Sequence, residues 1–140
     1  TMKHFFYSIL ISVFFISCQE KVTLESISKI NGYWEIQKVE LPDGQKKEYK
    51  INETVDYFEW KESVGFRKKV TPQFDGTFLI NDELEEIQIK DSSGIFQIHY
   101  KTPYTQWKEE IITLTDSILV LKNKQNLEYH YKRFTPFSIK

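Results

Sequence analysis

Three kinds of side chain in this 140-residue chain could carry chemistry: one cysteine, three histidines and a few clustered carboxylates. A cysteine nucleophile needs a thiolate with an imidazole beside it. Cys18 is the only cysteine, and it closes an apolar run from Phe5 to Ile16 rather than sitting within a patterned domain. His4 belongs to the same segment, which leaves His99 and His130. Neither takes part in a His-x-His or His-x-x-x-His spacing that would concentrate metal ligands, so both read as surface residues and no metal site is expected. Glu83, Glu85 and Glu86 form one acidic run, and Glu109 with Glu110 another. A glycosidase needs two such groups facing each other across a cleft. Runs of charge on strands read instead as solvated faces. Gly-x-Ser-x-Gly, a phosphate-binding loop and a dinucleotide fingerprint are all missing from the sequence. The reading is a non-enzyme with no catalytic residue and no cofactor.

The N-terminal segment carries more information than these groups do. After Lys3, the Phe5–Ile16 run has the length of a signal-peptide core and is too short to span a bilayer comfortably. It ends at Phe15-Ile16-Ser17-Cys18, which resembles a bacterial lipobox, where cleavage precedes a cysteine that then carries lipid. An ordinary secretory signal containing a chance cysteine is the competing reading. A single acyl chain holds a membrane only marginally, whereas a di- or triacylated Cys18 anchors without a membrane-spanning helix. Residues 1–17 are therefore expected to be a lipoprotein signal peptide, with Thr1 a remnant ahead of Met2. Residues 18–23 are the lipidated tether, 24–134 one domain, and 135–140 a tail. The expected location is the outer membrane. Gln19-Glu20-Lys21 holds a single acid, and the periplasmic face is favoured over the cell surface on that ground.

Without residues 1–17 the chain keeps 123 residues, 18 of them basic and 20 acidic. There is no basic excess for phosphate backbones, so nucleic acid is not an expected partner. The high aromatic share, 16%, favours strands. Leu24, Ile27 and Ile30 recur at every third residue, which predicts a short helix capped by Thr23 and stopped at Asn31-Gly32. From Tyr33 onward the pattern is strands with short connections. Pro42-Asp43-Gly44, Asp91-Ser92-Ser93-Gly94 and Thr115-Asp116 read as turns. The fold class is all-β: an antiparallel meander of about 8–10 strands, closed or partly closed into a barrel.

A short helix followed by Gly32-Tyr33-Trp34 resembles the lipocalins. In that family the helix plugs the barrel base and an arginine from the last barrel strand lies across the tryptophan. Arg133, in Tyr131-Lys132-Arg133-Phe134, is the matching residue here, so the resemblance implies a barrel floor of Gly32, Trp34 and Arg133. From about Ile30 to Phe134 the chain is similar to small lipocalin-like lipoproteins of Bacteroidetes. The likeness includes Asp75-Gly76-Thr77-Phe78 and the hairpin Ile112 to Leu121.

Alternation turns Phe58, Trp60, Phe96, Tyr100, Tyr129 and Tyr131 toward the barrel interior, and these are the candidate ligand-cavity residues. They either line a cavity for a small apolar ligand or fill the interior outright. The alternative function is an accessory subunit docking on an outer-membrane protein complex through exposed aromatics near Tyr57, Phe66 and Tyr104-Thr105-Gln106-Trp107. Asp116-Ser117-Ile118 matches an O-glycosylation acceptor pattern at Ser117, and serves equally well as a turn that needs its own Asp and Ser. Asn52-Glu53-Thr54 is a formal sequon that is discounted here.

Overall fold

The computed structural model describes residues 21–136. Cys18 and the expected signal segment lie outside the described residues, as does the end of the expected C-terminal tail. Among the described residues, no helix is long and apolar enough to cross a membrane.

The first element is a five-residue 3-10 helix, Ser26–Ile30. The expected helix thus exists only as this tight form, for a reason already in its spacing. Apolar residues at every third position match three residues per turn rather than 3.6. Ile27 and Ile30 are buried. Thr23 and Ser26 clamp its start reciprocally, each backbone N–H donating to the other's hydroxyl. The chain then enters Gly32 at φ +121°, where a Cβ would stand 2.7 Å from Arg133 Nη1.

Ten strands follow: β1 (Gly32–Glu40), β2 (Lys46–Glu48), β3 (Val55–Lys61), β4 (Val64–Pro72), β5 (Phe78–Ile80), β6 (Glu85–Ser92), β7 (Ile95–Lys101), β8 (Gln106–Leu114), β9 (Ile118–Lys122) and β10 (Glu128–Arg133). Eight of them form a closed antiparallel barrel in the order β1-β3-β4-β6-β7-β8-β9-β10, with β10 returning to β1. The two short strands are side branches, β2 on β1 and β5 on β4. Closure leaves the barrel no unpaired edge.

The turns show why the meander is tight. Ser93 and Gly94 both have positive φ, as a two-residue hairpin turn requires, and Asp91 Oδ1 accepts the Gly94 N–H at 2.8 Å. Asp75-Gly76-Thr77 is also a hairpin turn. Asp75 Oδ1 accepts from both the amide and the hydroxyl of Thr77, and these bonds hold its pKa below the ordinary carboxylate value.

The core is one cluster inside the barrel, centred on Trp34, Phe58, Ile98, Tyr100, Leu119 and Leu121. A second apolar layer lies on the outer face of β1, β3 and β4. There Val55 and Val70 are buried, and Phe134, Phe78, Tyr33, Tyr57 and Phe66 form a row of ring contacts.

Candidate functional site

The register defines two ends. The 3-10 helix packs against β3 and β8, and the start of β1 and end of β10 meet beside it. This end is the floor. Trp34 is fully buried and its indole N–H donates to Ile30 O at 2.8 Å. The Arg133 guanidinium lies 3.9 Å from the Trp34 ring centroid. Its N–H groups donate to three backbone carbonyls: Asn31 O at 2.6 Å, Lys29 O at 2.5 Å and Asp116 O at 2.9 Å. Gly32, Trp34 and Arg133 therefore meet in space. Asn31 joins them by pairing with the Trp60 backbone, accepting its N–H at 2.6 Å and donating to its C=O at 3.1 Å. The sequence reading saw Asn31 only as a helix stop.

Of the six candidate cavity residues, Phe58, Phe96, Tyr100 and Tyr131 are buried in the central cluster. Trp60 and Tyr129 are half-buried and pack against it. All six belong to the packed interior and fill it with side chains rather than framing an empty lumen.

The polar part of the interior begins above them. Arg67 of β4 points inward. Its guanidinium lies 4.4 Å from the Tyr100 ring centroid and 5.8 Å from that of Phe58. It bonds Glu85 through two nitrogens, Nε at 2.6 Å and Nη2 at 2.5 Å, and has Glu109 Oε1 at 3.7 Å. Asp56, also buried, accepts from Lys69 at 3.1 Å. The Tyr100 hydroxyl and the Glu109 carboxylate face each other in the interior without a well-formed hydrogen bond.

Burial raises the Glu109 pKa, opposed by Tyr100 and Arg67 and reinforced by the charges of Asp56 and Glu85. Burial likewise pushes Tyr100 and Tyr131 well above the ordinary phenol value. Burial alone would lower the Arg67 pKa, but Tyr100, Asp56, Glu85 and Tyr131 more than reverse it, so the guanidinium stays charged. The solvated-face reading thus fails at Glu85 and Glu109, which converge on one buried cation. It holds at Glu83 and Glu86, which are exposed.

Arg67 and Glu85 form the inner wall of a half-open cleft of about 880 Å³, at the end opposite the floor. The rest of its lining is largely charged, with Lys68, Lys69, Asp82, Glu83, Glu86 and Lys101 around the loop residues Leu84, Pro103 and Tyr104. Leu84 is 42% exposed and Tyr104 95%. A second cleft, about 650 Å³, lies along β6–β8 beside Gly65, Gln88, His99 and Trp107.

The remaining marks are simple to place. His99 is half-buried between Gln88 and Lys108, and burial together with Lys90 and Lys108 lowers its pKa. Trp107 stacks on Tyr100 at 5.1 Å. Asn52 donates to Ile36 O and Glu35. Ser117 is exposed in the β8–β9 turn, where its N–H is held by Thr115 Oγ1.

A closed eight-stranded antiparallel barrel with a plugged floor, a packed interior and a cleft at its open end defines the class of small lipocalin-like β-barrels. The model of the lipocalin-like domain matches residues 30–121, and the chain belongs to that family. Two solved structures are similar to it. One is a lipocalin-like protein from Bacteroides uniformis, at 11% identity and TM-score 0.48, covering 76% of this chain and 99% of that one. The other is an uncharacterized protein from Bacteroides eggerthii, at 12% identity and TM-score 0.47, covering 74% and 98%. No curated protein matches the chain.

Proposed function

We propose that this chain is a non-catalytic, membrane-anchored binding protein. Its ligand is a small, mostly apolar molecule with one polar group, held at the mouth of the barrel. The observation that carries the reading is the cleft of about 880 Å³ that joins exposed Leu84 and Tyr104 to the Arg67–Glu85 ion pair. Leu84, Pro103 and Tyr104 supply apolar surface within an otherwise charged lining, and concave surfaces that combine the two are where small ligands bind. The packed aromatics below limit the ligand to the upper barrel.

The anchor in this reading is an acylated Cys18 in the outer membrane, on the periplasmic side. Val22 already packs against the barrel core. Four residues of chain reach at most about 14 Å, so such an anchor puts the floor toward the bilayer and the mouth toward the aqueous side. The competing reading, a subunit docked on an outer-membrane complex, draws support from the half-buried aromatic row through Tyr57 and Phe66 and from exposed Tyr104.

The test is native mass spectrometry of the protein purified gently from its own membrane. The expected result is a lipid-bearing chain with a reproducible small-molecule mass that is lost on denaturation and diminished in Leu84→Asp. A bare lipid-bearing chain overturns ligand binding, and one that arrives with a second protein makes docking the working reading. An N-terminal peptide without acyl mass overturns the anchor.

A further inference from the structure

The closing seam of the barrel gathers three side chains that the floor and the cleft do not use. Register between β1 and β10 sets Glu40 directly opposite Glu128, and Lys38 opposite His130. Residues two apart on a strand share a face, so Glu40, Glu128 and His130 project together from the outer surface, at the mouth end of the seam. One ligand atom from each lies within 4.8 Å of the others. His130 Nε2 is 3.2 Å from Glu40 Oε2, yet this nitrogen is buried and makes no hydrogen bond. Two carboxylates as direct cross-strand partners repel each other. A cation between them and the imidazole relieves that repulsion and uses the idle nitrogen.

We propose that Glu40, Glu128 and His130 form a surface site for a divalent first-row metal ion, with Zn²⁺ as the best fit. One imidazole nitrogen and two carboxylate oxygens suit such ions, whereas Ca²⁺ and Mg²⁺ prefer fuller all-oxygen shells. In a tetrahedral zinc site with bonds near 2 Å, ligand atoms stand about 3.3 Å apart. The His130–Glu40 spacing already has that value, and a rotation of the Glu128 side chain supplies the third ligand. Water takes the fourth position. Lys46 sits 4.0 Å from the other Glu40 oxygen, Oε1, and leaves Oε2 to the ion. Lys38 and Lys122, cross-strand neighbours of His130 and Glu128, are the charges that hold the affinity down. The ligands come from the first and last barrel strands, so the bound ion clips the barrel shut. It binds the folded chain alone and stabilises it by mass action.

The test uses the full chain in detergent, stripped of metal, in a Cys18→Ser, His4→Ala background that removes the only thiol and the N-terminal imidazole. Calorimetric titration with ZnCl₂ is expected to show one ion per chain, with a matching rise in the unfolding midpoint. CaCl₂ and MgCl₂ are expected to give neither. His130→Ala and Glu128→Gln each weaken zinc binding by roughly tenfold or more, because a three-ligand site cannot spare one. His99→Ala leaves it unchanged. Unfolding midpoints without metal verify that each variant is folded. Zinc binding that survives His130→Ala, or no saturable binding to the unsubstituted site, overturns the proposal.

Discussion

Two arginines lie against aromatic rings inside this barrel, one at each end, and they are held in different ways. Arg133 covers Trp34 at the floor and spends its N–H groups on the carbonyls of Lys29, Asn31 and Asp116. Arg67 covers Tyr100 in the upper barrel and is held by the carboxylates Glu85 and Glu109. Carbonyls do not titrate, and they cannot swing away from the backbone. Carboxylates titrate, and side chains move. The floor is therefore a fixed closure, indifferent to pH. The upper site is an ionic arrangement that protons, salt or an incoming polar group can rearrange. One residue type builds a wall at one end and an adjustable contact at the other.

The sharpest way to break the contrast is Arg67→Met. It leaves Glu85 and Glu109 without their cation and is expected to cost about 3–4 kcal/mol near neutral pH in urea unfolding. The loss should shrink in acid as the abandoned carboxylates take up protons. A cost that stays constant with pH would show that Arg67 acts through packing alone. Arg133→Met is next, at about 2–3 kcal/mol for stranded carbonyls and lost cation–π contact, with the same cost at pH 5 and pH 8. Gly32→Ala attacks the same floor indirectly. Its new Cβ falls on Arg133 in a backbone conformation that alanine avoids, so a loss of about 2 kcal/mol is expected. It should add little to Arg133→Met in the double variant.

The smallest effect is one of slope. Glu109 binds its proton more tightly in the fold than in the unfolded chain, where its value is near 4.5. Its contribution therefore favours the fold below that value and is lost as pH rises through the higher folded pKa. Glu109→Gln removes this decline, so its stability relative to the parent should climb as pH rises from about 4.5. Parallel curves would show that Glu109 does not titrate differently in the fold.

The same contrast explains what could be read in the sequence. The ten strands were legible because hairpin loops are short and alternation is clean in β6, β7 and β10. The floor was legible because Gly32-Tyr33-Trp34 and Arg133 stand at the two ends of the domain in a recognisable order. The upper site was not. In β4 the apolar residues Val64, Phe66 and Val70 share one face, and the structure keeps that face outward, where Phe66 and Val70 belong to the second apolar layer. The opposite face turns Arg67 into the interior, which spacing along the strand does not reveal. Gly65 has room for no side chain, since a Cβ would meet Trp60 and Ile87 at 3.0 and 3.1 Å. A small residue beside an arginine on one strand face was the available clue. The Glu40–Glu128–His130 group was hidden for another reason: it exists only through the register between the two most distant strands, and residue spacing along the chain carries no trace of it.

The floor also has a consequence in time. Arg133 reaches back 102 and 104 residues to find Asn31 and Lys29. Nothing made earlier during synthesis can substitute, so a nascent chain holds an open, unpaired β1 edge until its last strand emerges. Contacts this distant in sequence are entropically costly to form first, and barrels dominated by them fold in milliseconds to seconds rather than microseconds. During that interval the chain is a ribbon with one sticky border, and a ribosome stalled a few codons before Arg133 would release a product prone to aggregate.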